Sequence, residues 1–418
     1  MMAPRTMANA PVPRILILAA GPLCRNPRVH KEAVTLGRAG FDVTVSSIAN
    51  IERFEAFDRD MLVGAPFSRI AVDRLSRGPA SRIAGFMERA ASWLARRAVR
   101  WGVDSPLALG PYHALRALAV RHAADLTIVH AELPFCIGAH LIARGLNVAA
   151  DFEDWHSRDL LPSARSARPL RLLEKTEALL MRRSAYSSAP SESMATALHA
   201  AYGGQVPIVI PNTFPLQPEP SPLPRQRPPS FFWYSQTIGE GRGLEAFLSA
   251  WSLMAAESRV RLLGEVSEAY RERLVRSVPE RRRKSLDFLP LVAPDALPGL
   301  IATHDIGLAI EPDTPESRFL TTTNKVFQYL NAGLAIVATP TAGQREVLSK
   351  VPGCGILAER SSPEALAAQL DALVSRPGLL AEMGAAARAG AVNYYSWERS
   401  EPVLIAAVNR ALGKPSAT

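Results

Sequence analysis

From Arg14 an apolar run, RILILAA, gives way to a turn, GPLCRNP, and then to a helical stretch over 29–39. A second apolar run, FDVTVSSI, follows, and this strand–helix–strand order predicts a βαβ unit of a parallel sheet. The alternation continues with strands LTIVHAE, NVAADFE and YSSAPS, separated by helices over 136–144, 170–183 and 192–202. Between 207 and 229 proline recurs too often for a helix or a central strand, and the stretch reads as a stiff, extended linker. The pattern then restarts: FFWYSQ, RVRLLGE, LDFLPL, IGLAI, LAIVAT and GILA as strands, with helices over 244–255, 293–302, 323–331 and 363–374. A last segment, 379–412, reads as mostly helical. Two doubly wound α/β halves are therefore expected, with ligands at the carboxyl ends of their strands.

One segment does not belong to this alternation. Over 81–101, Ile83, Phe86, Met87, Ala90, Trp93, Leu94 and Trp101 share one helical stripe, flanked by Arg82, Arg89, Arg96 and Arg100. Two readings are open: a basic helix lying on an anionic membrane surface, or a helix packed on the core with a solvated arginine edge.

The length of 418 residues fits two domains, each large enough for its own core. Only Cys24, Cys136 and Cys354 occur, an odd and scattered set without metal-ligand spacing, so a reducing, cytoplasmic setting is expected, with neither a disulfide framework nor a zinc site. No apolar run is long enough to span a bilayer, and a soluble protein without a signal peptide is expected. The net charge of +9, carried mainly by arginine, suits phosphate-bearing ligands, an anionic membrane or nucleic acid, and is equally what a bias in codon usage would leave. Nucleic acid fits poorly, because the arginines are dispersed and lack interleaved aromatic platforms. The turn after the first strand lacks GxGxxG, which argues against a dinucleotide cofactor.

Three stretches carry a resemblance. The block TNKVFQYLNAGLAIVATPTAGQREV (323–347) is similar to PNK-x-x-EY-x-x-AG-x-P-V-x-A. The pair PNTFP and QTIGEGRGLEAFLSAW, and the opening PRVHKEAVTLGRAGFDVTV, stand in the matching order. Together they resemble the GT-B glycosyltransferases, in particular glycosyltransferase family four of bacterial polysaccharide and lipopolysaccharide synthesis. The resemblance implies two Rossmann-like doubly wound domains facing across a cleft, with a C-terminal helix crossing back to the first. It implies a nucleotide-diphosphate sugar as donor, a saccharide or lipid-linked acceptor, hexosyl transfer of the retaining type, and no metal or other cofactor. The expected organisation is a disordered start over 1–13, an acceptor domain over 14–210, the linker over 211–229, a donor domain over 230–390 and the returning helix and tail over 391–418.

A leaving nucleoside diphosphate gathers charge, so cations and helix N-termini are needed to meet it. Arg242 lies in the glycine-rich turn GEGRG before a helix, where guanidinium and backbone N–H groups can face phosphate oxygens together. Lys325 is in the first turn of the helix starting near Thr323, and Gln328 follows one turn on, a spacing that suits phosphate and ribose contacts. Where the family carries glutamate, this chain has Gln328 and Leu320, and Thr237 stands where it carries an arginine. Thr321, Thr322, Thr323 and Asn324 offer hydroxyl and amide contacts or a helix cap. Gly343 permits close backbone approach, Glu346 resembles the family's loop glutamate, and Glu311 follows another strand. In the first half, Arg25, Asn26 and Arg28 follow the first strand and are candidates to meet the donor phosphates or the acceptor across the cleft, and DFEDWHSRD supplies Asp151, Glu153, Asp154, His156 and Asp159. By resemblance, Asp154 and His156 are the acid–base candidates there, and Glu153 an acceptor contact. A nucleotide-sugar epimerase on the same fold, and a catalytically silent scaffold, are the alternative readings.

Overall fold

The computed structural model describes residues 11–49, 51–73, 79–219 and 228–414. The chain divides into two compact units, one comprising 1–189, 197–208 and 403–418, the other 190–196 and 209–402.

The first unit is built on strands β1 (Arg14–Leu18), β2 (Asp42–Ala49), β3 (Ser68–Asp73), β4 (Leu126–His130), β5 (Val148–Asp151), β6 (Ser187–Ala189) and β7 (Ile208–Val209), in the order β3-β2-β1-β4-β5-β6-β7. Neighbouring strands from β3 to β6 pair in parallel. Such a sheet is covered on both faces, so its central strands read as unbroken apolar runs: Ile15 to Leu18 are all fully buried. The C-terminal helix Trp397–Ala411 ends in this unit, where Asn147 Nδ2 donates to the Ala411 carbonyl at 2.9 Å and Lys414 lies over the Phe41 ring.

The second unit has β8 (Ser230–Thr237), β9 (Arg259–Glu265), β10 (Leu286–Leu289), β11 (Ile306–Ala309), β12 (Ala335–Ala338) and β13 (Gly355–Leu357), ordered β10-β9-β8-β11-β12-β13, all parallel. Successive residues of β8 face opposite layers. Phe231 and Trp233 join Phe247 and Trp251 on one face, and Phe232 joins Tyr329 on the other. The strand order reverses between β8 and β11, the switch point at which open α/β sheets leave a crevice beyond their carboxyl ends.

The first part of the proline-rich stretch is fastened to this second unit. Asn331 accepts from Gln217 N at 3.0 Å and donates to the Pro215 carbonyl at 2.8 Å, while Arg388 bonds Gln217. Residues 220–227 of the expected linker, and 1–10 of the expected disordered start, lie outside the described residues.

Candidate functional site

Three loops meet at the switch point of the second unit, after β8, β11 and β12. The loop after β8 ends at Gly243, in the left-handed region at φ +77, and a side chain there would strike the Ile310 carbonyl. Glycine thus lets the turn carrying Arg242 lie against the end of β11. The loop after β11 carries Glu311 and leads to Thr321, Thr322 and Thr323. The loop after β12 is joined to it by Thr339, whose hydroxyl donates to the Glu311 carbonyl at 2.6 Å.

A helix starts from each loop: Leu244–Leu253, Asn324–Ala332 and Ala342–Lys350. None has a side-chain cap: Gly243, Thr323 and Thr341 occupy the N-cap positions without capping bonds. Each leaves first-turn N–H groups with no intrahelical acceptor and the positive end of a helix dipole, the combination that binds anions.

Two cations join them. Lys325 is 9% exposed, its ammonium 2.5 Å from Glu311 Oε1 and 5.4 Å above the Trp233 ring. Burial pulls the Glu311 carboxyl upward, but the Lys325 ammonium, with Arg318 and Arg242, holds it below the ordinary carboxylate range. Lys325 and half-buried Arg242 therefore act on one carboxylate.

Around this group lie buried polar atoms with no hydrogen-bond partner among the described residues: Tyr234 OH, Thr321 Oγ1, Thr323 Oγ1, Gln328 Oε1, Thr341 Oγ1 and both amide atoms of Gln344. Such atoms are costly unless a ligand or water satisfies them. Tyr234 and Gln344 were not legible as candidates, since each sits inside an apolar or ordinary helical pattern.

Two other expected residues of this unit, Gly343 and Glu346, make close contacts within it. At Gly343 a side chain would collide with the backbone of Leu320, Thr321 and Thr322, and Thr322 Oγ1 donates to the Gly343 carbonyl at 2.7 Å. Glu346 accepts from the backbone N–H groups of Glu192 (2.9 Å) and Ser193 (2.6 Å), capping the helix Glu192–Tyr202. Ser191 Oγ, unforeseen in the sequence, donates to the Leu320 carbonyl at 2.7 Å. Asn324 is half-buried at the start of its helix, and Thr237 is exposed at the end of β8.

At the carboxyl edge of the first sheet the charges meet one another. Arg28, fully buried, holds Asp151 through both Nε and Nη2, the latter at 2.9 Å, and lies 3.4 Å from Glu32. His130, the last residue of β4, lies 3.1 Å from Glu32 and 3.3 Å from Asp151, and Ser188 donates to Asp151 at 3.0 Å. Burial pulls the Asp151 carboxyl upward, yet Arg28 and His130 hold it below its ordinary value. Burial lowers the His130 imidazole, but Glu32 and Asp151 leave it raised. Glu32, His130 and Asp151 could group around a metal ion, and here the Arg28 guanidinium pairs with both carboxylates.

Asn26 caps the helix Pro27–Arg38 through Val29 N at 3.2 Å, and exposed Arg25 lies over the Phe54 ring. Beyond β5, burial, then Asp154 and Asp151, raise the Glu153 carboxyl to about 7. Burial and the Arg168 charge lower His156 to about 4, and its Nε2 is buried without a partner among the described residues. Glu153, not His156, thus titrates near neutrality, where a general base is most effective. Asp154 is half-buried beside it.

Residues 229–376 match the family model described as Glycosyl transferases group 1. No curated protein sequence matches the chain. Among solved structures, HepE of Anabaena in complex with UDP and glucose is 16% identical, with a TM-score of 0.67 over 95% of this chain and 99% of that one. WaaG, a glycosyltransferase involved in lipopolysaccharide biosynthesis, is 14% identical, with a TM-score of 0.61 over 94% and 98%. A putative UDP-N-acetylglucosamine 2-epimerase from Listeria monocytogenes is 11% identical, with a TM-score of 0.61 over 98% and 100%. The fold is GT-B, as in these structures, and the match to the glycosyltransferase model falls within the second unit.

Proposed function

We propose that the chain is a glycosyltransferase that moves a sugar from a nucleotide-diphosphate donor to a saccharide or lipid-linked acceptor in cell-surface polysaccharide synthesis. The observation that supports this most directly is the second unit's switch point, where three uncapped helix N-termini open beside Lys325 and Arg242. A diphosphate is the anion that such a site suits, and it gains charge as the sugar leaves, so the site stabilises the transition state more than the ground state. In this reading Lys325 and Arg242 meet the diphosphate, and Gln328 Oε1 accepts from a ribose hydroxyl. The unpartnered threonine hydroxyls complete the donor contacts. UDP and glucose in the complex of the HepE relative support a donor of this class.

On the acceptor side, Glu153 or Asp154 orients or deprotonates the acceptor hydroxyl. His156, driven neutral, serves as a hydrogen-bonding partner. The hexosyl, retaining outcome rests on the resemblance to family four, and the donor is a substrate in a reaction that needs no metal. The place of action is the cytoplasm, at the inner face of the plasma membrane. There, the returning helix and the first unit belong to the acceptor side.

A thermal-shift panel of nucleotide sugars tests the reading. One nucleotide is expected to raise the melting temperature, and Lys325→Ala to weaken it by about 2 kcal/mol, roughly thirtyfold, as for a charge-assisted contact. If no nucleotide shifts the wild type, the chain is a silent scaffold. Should the bound sugar be converted to its epimer without an acceptor, the neighbouring epimerase activity is the right one.

A further inference from the structure

We propose that the helix Pro79–Ala98, with the turn Val99–Trp101, is a docking surface for an anionic lipid bilayer. The helix is mounted with its small residues inward: Ser92 and Ala95 are buried, Ser92 Oγ donates to the Gly110 carbonyl, and Arg96 Nε donates to the Ala108 carbonyl at 3.0 Å. Its bulky residues face outward. Phe86 and Met87 are each 66% exposed, Trp93 53%, Leu94 60% and Trp101 81%. The helix Trp397–Ala411 in the same chain does the opposite, burying Trp397, Leu404 and Val408.

A contiguous exposed apolar stripe marks an interaction surface, and its charge selects the occupant. Over 79–101 five arginines, Arg82, Arg89, Arg96, Arg97 and Arg100, accompany a single acid, Glu88. Arg97 lies over the Trp93 ring at 4.1 Å, and Arg89 and Arg100 are exposed. Aromatic anchors edged with arginine suit the boundary between anionic headgroups and acyl chains. A second copy suits the face poorly, because a two-fold interface would set these arginines against their own images. At about 30 Å the helix is long enough to lie across many headgroups, and no helix among the described residues is long and apolar enough to cross a membrane. The inference stands on this helix alone, whichever reaction the second unit performs.

Co-sedimentation of the full chain with phosphatidylglycerol-containing vesicles tests it. Binding is expected at low salt, at least about tenfold weaker on pure phosphatidylcholine and falling as salt is raised. Changing Phe86, Trp93 and Trp101 together to serine should cost at least about a hundredfold, since burying each contributes on the order of tenfold. The double change Arg89→Glu and Arg100→Glu should lose anionic binding while leaving the weak phosphatidylcholine binding unchanged. Each altered residue is exposed, so the melting temperature and any nucleotide-induced shift should persist. That separates failure here from failure of the transferase reading. Absence of wild-type binding to anionic vesicles, equal binding by the variants, or a wild-type dimer that the triple variant makes monomeric would overturn the proposal.

Discussion

The two sheets carry charged clusters at the same carboxyl edge, and the clusters differ in what they leave over. In the first unit Arg28, Asp151 and Ser188 are joined by hydrogen bonds, and Glu32 and His130 lie within ion-pair distance, although neither His130 ring nitrogen has a hydrogen-bond partner among the described residues. In the second, Lys325 and Glu311 pair, but helix N-termini stay uncapped and seven buried polar atoms stay unpartnered among the described residues. A cluster whose charges face one another stabilises one conformation, whereas uncapped helix N-termini beside cations store capacity for an anion. Richness in titratable groups is therefore a poorer guide to an anion than cations set beside uncapped helix N-termini. The acid-rich loop after β5 drew attention in the sequence, while the better-formed anion site lies among threonines and amides.

Arg28→Met should break the closed cluster outright, costing about 3–5 kcal/mol by leaving two buried carboxylates without their cation. Urea denaturation measures it, and no nucleotide should restore the loss. Glu311→Gln probes the open cluster. Lys325 loses its partner, so the unliganded protein should be destabilised by about 2–3 kcal/mol, and a nucleoside diphosphate should bind about tenfold tighter, seen by calorimetry. Equal irreversibility of the two losses would erase the contrast between the units. The smallest effect concerns His156, held at about 4 in the fold against 6.5 for an ordinary imidazole. Between these values the unfolded chain binds the proton and the native one does not, so stability falls as pH drops from 6.5 towards 4. His156→Gln should flatten that part of the pH–stability curve, as followed by chemical denaturation at stepped pH.

Much of the sheet architecture was legible because parallel strands buried on both faces must be apolar throughout: the runs at 15–18, 231–233 and 335–338 admit no other reading. Some short strands and polar helices carried less signal. Strand β3 and the helices Glu52–Met61, Tyr112–His122 and Glu268–Ser277 were not foreseen, and half the residues of the last are charged. Within the second unit, Lys325, Gln328 and the threonines could be placed from one block of sequence. Their engagement with Glu311, and the capping role of Glu346 154 residues from Glu192, depend on contacts that spacing does not encode. On the helix Pro79–Ala98 periodicity identified the stripe but not which side faced water, because small residues can seat a helix as well as large ones.

The path of the chain between its two units has a practical result. Residues 190–196 and 209–402 together make the second unit, so it is not a continuous stretch of the gene product. A fragment beginning at 209 would lack Ser191, Glu192 and Ser193, leaving the Leu320 carbonyl and the Glu346 carboxylate without their donors. Cloning the second unit by a single cut therefore removes part of its own scaffold, and exchange of that unit has to carry both segments together.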